Sequence, residues 1–444
     1  MKMKWGNKDV ETAVPLLPEF VSERNNFEGA SVSGAVFNVS TTIVGAGIMS
    51  IPATMKVLGV IPAFILIFVI AVLSEISARF LLKYTHCGDS TTYAGVMAES
   101  FGRLGGLAVQ ICILITNIGA LIIYLIIIGD VLSGSQSDGT VHLGVLQQWF
   151  GVQLWNTRPI ALLFIVLFVL LPLVLLRRVE SLRFTSAISV LLAVVFVGIS
   201  AVIALSALWE GKTKTPRLLP DLVNQASFFD LFTAVPVIVT AFTFHFNVHP
   251  IGAELRRPCD MVSAVRISLI LCSIIYCSVG FFGYLLFGDS IMSDILVNFD
   301  RNSGSTISSL LNDTVRLSYA LHLVLVFPLL NFSLRANIDE LLFAKSPILA
   351  SDNNRFWALT CGLLGLIYIA AIAIPNIWYF FQFMGSTTAV CLAFIFPGAI
   401  VLRDVHEVST GSDRISAAVM IVLAIVTSSI AISTNITNLT RSKL

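Results

Sequence analysis

Charged residues are scarce in this chain. Asp, Glu, Lys and Arg together make up 12% of its 444 residues, where soluble domains carry about 25%. With 56% hydrophobic residues, the chain has too little polar surface for a soluble globule. The net charge is +1 and no basic block stands out, so nucleic acid is not an expected partner. The seven cysteines (87, 112, 259, 272, 277, 361 and 391) are scattered, with no CxxC pair and no Cys/His ligand spacing. Neither a metal centre nor a disulfide framework is expected. There is no Ser/His/Asp or paired-carboxylate grouping at useful spacing and no glycine-rich phosphate loop. An enzyme is therefore not expected, and no cofactor is implied. The first 30 residues lack a short apolar core followed by a cleavage site, which argues against a signal peptide.

What the chain has instead is long apolar runs, with a mean hydropathy of +0.90. A membrane-spanning helix needs about 20 such residues. Eleven runs meet the requirement, near 31–57, 59–83, 104–132, 157–176, 184–209, 229–254, 263–287, 312–334, 355–374, 376–402 and 415–437. The ninth and tenth are separated only by Pro375 and Asn376. The expected fold is an all-α polytopic membrane protein of eleven transmembrane helices, residues 31–444, behind a mostly disordered tail, residues 1–30. With that tail in the cytosol, Lys and Arg favour the cytosolic segments by roughly two to one, which fits the positive-inside rule. An odd number of spans then puts the C-terminus across the membrane. Sequons at Asn312, Asn435 and Asn438 fall on or near that far side. In the tail, Pro15, Leu16 and Leu17 follow Asp9 and Glu11, loosely like an acidic dileucine sorting signal.

One span organises the rest. Residues 37–52 read FNVSTTIVGAGIMSIP. Gly45, Ala46 and Gly47 carry almost no side chain at mid-depth, and Pro52 follows. In a helix interior glycine costs roughly 1 kcal/mol and proline about 3, so the helix is expected to break. Non-helical backbone at membrane depth is tolerated only inside protein or around a water-filled cavity, and secondary transporters bind substrate at such breaks. Span six, AVPVIVTAFTFHFNVHPIGAELRRP, is the second expected break, with Pro236 and Pro250 as breakers. His245, Asn247 and His249 lie between these prolines, among Phe242, Phe244 and Phe246. Polar side chains inside a membrane are costly and face a cavity or a partner. Breaks in spans one and six are five spans apart, so the two halves have opposite topology. That spacing predicts a 5+5 inverted repeat, residues 31–209 and 229–402, with 415–437 as an extra helix.

Other polar positions stand out. Glu75 and Arg79 are four apart and can pair on one helix face. Asn117 and Tyr124 in span three either bond a neighbouring helix or face the cavity. Asp130 is expected to reach water. His322, with Ser318 and Tyr319 one turn earlier, is either a proton-coupling residue or a buried polar contact. Unperturbed histidine titrates near pH 6.5. Gln382, Gly385, Ser386, Thr387 and Thr388 form a polar face on span ten.

FNVSTTIVGAGIMSIPATMK in span one and FTFHFNVHPIGAELRRP in span six carry a family resemblance. The chain resembles the amino acid/auxin permease family, and most of all its plant vacuolar (AVT) branch. The family also includes the sodium-coupled neutral amino acid transporters. The resemblance covers roughly residues 30 to 440. It implies the leucine-transporter (LeuT) fold with eleven spans, and amino acid transport driven by a proton or sodium gradient. It also implies that Asn38 is the ion-site asparagine and His245 the family histidine. Sodium-coupled relatives place a hydroxyl in span eight shortly before the proline. Here residues 323–327, before Pro328, are Leu, Val, Leu, Val and Phe, which disfavours sodium and favours protons or downhill flow.

The expected chemistry follows from the substrate. N–H groups freed at Gly45, Ala46, Gly47 and Ile48 bind an amino acid's carboxylate, helped by the helix dipole. Carbonyls at Ile43 and Val44, with Asn38 and Thr42, take the ammonium group or an ion. Phe244, His245 and Asn247 shape the side-chain pocket, and Asn117 is a further candidate. Asn38, His245 and His322 are the candidates for ion or proton coupling. The expected function is secondary active transport of amino acids, neutral ones favoured, in a vacuolar or other endomembrane, with the plasma membrane as the other location. The alternatives are an amino-acid-sensing membrane protein and a sodium-coupled symporter. A channel is disfavoured because mid-membrane charges are too few for pore rings.

Overall fold

The computed structural model describes residues 30–137, 140–177, 180–213, 215–222, 228–299, 306–343, 346–347, 349–374 and 378–441. The N-terminal tail with its dileucine, and Pro375 and Asn376, lie outside the described residues.

Helix α1, Val32–Ile43, starts at Ser31, whose hydroxyl accepts from the Gly34 N–H at 3.1 Å. Such a cap satisfies one of the N–H groups a helix start leaves orphaned. The helix stops at Val44. Gly45 is extended, a tight turn covers Ala46–Ser50, and α2 runs Ile51–Leu58. The two helices are bent by 47° at the break. Pro52 sits in the first turn of α2, where a missing N–H costs little. It starts the second helix rather than ending the first, so the break belongs to the glycines.

Helix α3 is Val60–Cys87. Helix α4 is Tyr93–Ser133, beginning well before the expected 104, with a kink at Gly102, whose φ is +69°. Strands β1 (Ser135–Ser137) and β2 (Thr140–His142) pair as an antiparallel hairpin. Helices α5, Arg158–Val174, and α6, Arg183–Trp209, follow. The sixth apolar run is divided into α7, Ala234–Ala241, and α8, His245–Glu254. Pro250 lies inside α8, so the helix continues through it. The interruption is at 242–244, between the two prolines and not at either.

Next come α9, Met261–Phe287, the short α10, Ile295–Asn298, and α11, Thr306–Phe343. Then α12 is Asn353–Ala373, α13 is Phe381–Arg403 and α14 is Gly411–Arg441. Among the described residues, nine helices are long and apolar enough to cross a membrane, and the bent α1–α2 pair makes ten. The expected fourth span is α5, a shorter apolar helix.

Helix α11 is central and mostly buried, whereas α14 is peripheral and mostly exposed. It packs along α4 and α6, while α1 lies against α9 and α6. Buried polar bonds fix the ends. Asp404, between α13 and α14, accepts from the Tyr84 hydroxyl, from the Val408 N–H at 3.0 Å and from Arg414 at 2.9 Å. Glu75 meets Arg266 of α9 at 2.9 Å, closer than Arg79 at 3.9 Å. Asp130, expected in water, pairs with Arg158 of α5 at 2.5 Å and is mostly buried.

Candidate substrate site

A helix end leaves its last carbonyls without partners, and the next helix start leaves its first N–H groups bare. Inside a bilayer each such group costs several kcal/mol unless it is met. Side chains from three other helices meet those at the span-one break. The Tyr276 hydroxyl of α9 donates to the Ile43 carbonyl at 2.5 Å. His322 Nε2 of α11 lies 2.7 Å from the Val44 carbonyl oxygen. The Tyr319 hydroxyl, one turn earlier on α11, donates to the Gly45 carbonyl at 2.5 Å. On the other side of the break, the Tyr124 hydroxyl of α4 lies against Gly45 and faces the Ala46 N–H.

Small residues are a geometric requirement here. A Cβ on Gly45 would lie 2.1 Å from the Tyr124 hydroxyl oxygen. A Cβ on Gly47 would lie 2.8 Å from Ala241 Cβ and 2.9 Å from Ala241 Cα. Ala241 is the last residue of α7, so the two interruptions touch. They are also bonded together. Tyr276 reaches the Ala241 carbonyl at 2.8 Å as well as that of Ile43. Asn247 Nδ2 of α8 donates to Thr42 Oγ1 at 3.0 Å, and the Thr42 hydroxyl donates to the Asn38 carbonyl at 2.9 Å.

The remaining candidates divide. Phe244 is the residue before α8 and is 1% exposed. Its ring stacks on His245 at 4.7 Å. His245 turns away from span one: its Nε2 bonds Ser77 Oγ of α3 at 2.5 Å, and its Nδ1 has no partner. His249 repeats the pattern one turn on, bonding Thr85 Oγ1 at 2.8 Å. Asn117 is fully buried, and neither side-chain polar atom has a partner. Asn38 Oδ1 is likewise buried and unpartnered. Buried polar groups are nearly always bonded, so these two mark places where a polar ligand would find an unmet partner; Asn331 of α11 is buried and unpartnered in the same way. On α13, Thr388 accepts from Thr116 at 2.8 Å, and Gly385 packs on the Pro236 carbonyl of α7.

Tyr276 and Ser189 carry no signal in the sequence. Each is one of several polar residues in an apolar helix, and only the packing shows that Tyr276 serves the Ile43 and Ala241 carbonyls and that the Ser189 hydroxyl meets His322. A separate cavity of about 10 Å3 lies beyond the breaks, lined by Asp130, His142, Asp294 and Arg316 among others. There burial pushes the Asp294 carboxyl up to about 6, against the opposing Leu296 N–H and Arg316.

Two interrupted helices touching in the core of a bundle are a transporter's arrangement, and the chain's relatives agree. The pattern of the family described as transmembrane amino acid transporter protein matches residues 28–439. The chain belongs to that family. Among transmembrane amino acid transporters it is 63% identical to amino acid transporter AVT6C of Arabidopsis thaliana, over 96% of this chain and 98% of that protein. It is 50% identical to AVT6A of the same plant, over 95% and 92%. A more distant relative is sodium-coupled neutral amino acid transporter 7 of Danio rerio, 25% identical over 86% and 82%. Among solved structures, a manganese transporter of Eremococcus coleocola aligns with a TM-score of 0.61 at 14% identity, covering 97% of this chain and 91% of that one. That likeness concerns the fold. The chain is thus a multi-pass membrane protein of an amino acid transporter family, with no enzyme among the named relatives.

Proposed function

We propose that the chain is a secondary active transporter that moves neutral amino acids by alternating access, driven by protons. The observation that carries this reading is the contact between the two interruptions at Gly47 and Ala241, bridged by the Tyr276 hydroxyl. An amino acid is a zwitterion and matches both ends of the span-one break. Its carboxylate is placed at the start of the turn at Ala46 and Gly47, beside the Tyr124 hydroxyl; the Gly45 and Ile48 N–H groups, expected to be free, are taken by the Ile43 and Gly45 carbonyls at 2.9 and 3.3 Å. Its ammonium group is placed on the α1 side, where Asn38 Oδ1 lacks a partner. Thr42, Asn247 and Phe244 close the proposed pocket, with the unpartnered Asn117 of α4 as a further candidate. The groups met at the break are hydroxyls, an imidazole and main-chain atoms, with no carboxylate or guanidinium among them, which favours substrates of no net charge. In an empty transporter the tyrosine and histidine side chains hold the main-chain groups that the substrate competes for.

Protons are favoured over sodium on chemical grounds. Sodium needs oxygen ligands, yet the Val44 carbonyl faces His322, and residues 323–327 supply no hydroxyl. The reading also takes α5 as the eleventh span, residues 31–209 and 229–402 as inverted repeats, the N-terminus as cytosolic and an endomembrane, the vacuolar membrane first, as the location.

Reconstitution in liposomes tests this. Labelled neutral amino acids should accumulate under an imposed proton gradient, and replacing potassium by sodium should change nothing. Uptake that requires sodium, or no uptake of any amino acid under either gradient, contradicts it.

A further inference from the structure

His322 is fully buried on α11, and both of its ring nitrogens face main-chain oxygen. Nε2 is 2.7 Å from the Val44 carbonyl, and Nδ1 is 2.7 Å from the Ser189 carbonyl of α6. Ser189 Oγ is also 3.0 Å from Nδ1. A carbonyl can only accept, and a neutral imidazole has one N–H and one lone pair. A neutral ring therefore aims a lone pair at one of the two carbonyls. The Ser189 hydroxyl relieves this at Nδ1 by donating to it. An imidazolium needs no such help, because it donates from both nitrogens. The two 2.7 Å distances fall where charge-assisted bonds lie, about 2.7–2.9 Å.

We propose that His322 is a proton-binding site whose charged form clamps the end of α1 to α6, and that Ser189 is the positioning residue that sustains its neutral form. The inference rests on the proton-linked reading above. On protonation the proton goes to Nδ1, the Ser189 hydroxyl rotates off it, and the new N–H donates to the Ser189 carbonyl. On release the same proton leaves Nδ1 and the hydroxyl returns. Both carbonyl bonds are charge-assisted only in the protonated ring. Proton binding therefore tightens span one at the residue next to Gly45, where the substrate site begins. A cation is thus placed between span one and spans five and eight without any metal.

The groups around the ring are consistent with this. Tyr319 of α11 stacks on it at 5.0 Å. Tyr276 of α9 and Tyr124 of α4 stand near Tyr319, as does the Asp294 carboxyl beyond the end of α9. Helix α1 presents main-chain oxygen and α6 presents Ser189. Among the described residues no carboxylate pairs with His322, so the two carbonyls carry the stabilisation of the charge.

The test is the pH profile of uptake in liposomes for the wild type, Ser189→Ala and Ser189→Thr. Removing the hydroxyl destabilises only the neutral ring. The midpoint for Ser189→Ala should therefore move up by about half to one pH unit, the worth of one neutral hydrogen bond. Ser189→Thr keeps a hydroxyl and should stay within about 0.2 unit of the wild type. An unmoved or lowered midpoint in Ser189→Ala overturns the proposal. Nitrogen-15 NMR of histidine-labelled wild type gives a readout independent of transport, with the His322 signal assigned from a His322→Gln sample. The proposal expects an imidazolium signal that gives way to the neutral form as pH rises. A ring that stays neutral from pH 4 to 8 overturns it. A wild type whose uptake ignores pH, while the nitrogen signal titrates, overturns the proton-linked reading and leaves the binding site standing.

Discussion

Replacing Gly47 with alanine adds one methyl group at the point where the two interrupted spans touch. The new carbon would lie 2.8 Å from Ala241 Cβ and 2.9 Å from Ala241 Cα. Carbon atoms in contact prefer about 3.5–4.0 Å, so the two interruptions must part by roughly 0.7–1 Å. The neighbour is main chain and a methyl fixed to it, and neither can rotate aside. Overpacking of this kind costs about 1–3 kcal/mol. At about 1.4 kcal/mol per factor of ten, catalytic efficiency for uptake, kcat/KM, should fall between about fivefold and 150-fold. The assay is initial uptake of a labelled amino acid into liposomes, normalised to the amount of protein inserted. Gly365→Ala on α12 is the control. A Cβ there meets nothing within 4 Å, so uptake should stay within about twofold, as for surface substitutions. Wild-type uptake by Gly47→Ala would refute the claim that transport depends on this contact.

Gly45→Ala should act differently, because the added carbon meets the Tyr124 hydroxyl, the end of a side chain that can turn. With Tyr124 displaced, the carboxylate loses that hydroxyl as a donor, worth about 1 kcal/mol, so KM should rise about fivefold with little change in melting temperature; an unchanged KM counts against placing the carboxylate there. Tyr276→Phe strips a hydroxyl from the Ile43 and Ala241 carbonyls. An orphaned buried acceptor costs about 1–3 kcal/mol, so uptake should drop by about fivefold to 150-fold, and a variant as active as wild type would show that the bridge is idle. Asp404 sets a pH limit on stability. Burial alone raises its carboxyl, but bonds from Ser409, Tyr84 and Arg414 outweigh this and hold it well below the usual carboxylate range. A depressed carboxylate contributes fully above its unfolded value of about 3.9 and loses that contribution as pH falls below it. The melting temperature should hold from pH 7 to 5 and fall below about 4, with a flatter profile in Asp404→Asn; parallel profiles would exclude this network as the cause.

The interruption in span one is legible because two glycines within three residues, which alone would also suit close helix packing, follow the polar run of Asn38, Ser40, Thr41 and Thr42. The role of Pro52 is not, since a proline after a break and a proline causing one look alike in sequence. In span six the prolines and polar residues mark the right stretch, but the break falls on Phe242, Thr243 and Phe244, with no glycine or proline among them. Its place is set by Tyr276 and Thr243 holding the last α7 carbonyls. His245 shows the same limit. Its cost inside a membrane marks it as a residue with a partner, yet whether that partner is a substrate or Ser77 depends on how α8 is rotated. Asp130 reads as water-exposed because it lies at the far-side end of its span, while its partner, Arg158, comes 28 residues later across a hairpin. Apolar runs locate helices by composition alone. Partners far apart in the chain emerge only from packing.

The central claim is that an amino acid binds where the two interrupted spans meet. An electron cryomicroscopy map of the purified protein at saturating substrate tests it directly. The account predicts density for a small zwitterion between Gly45, Gly47 and Phe244, its carboxylate toward the Ala46 N–H and its ammonium group toward Asn38. Substrate density elsewhere, with the tyrosine and histidine bonds at 43–46 undisturbed, would contradict it.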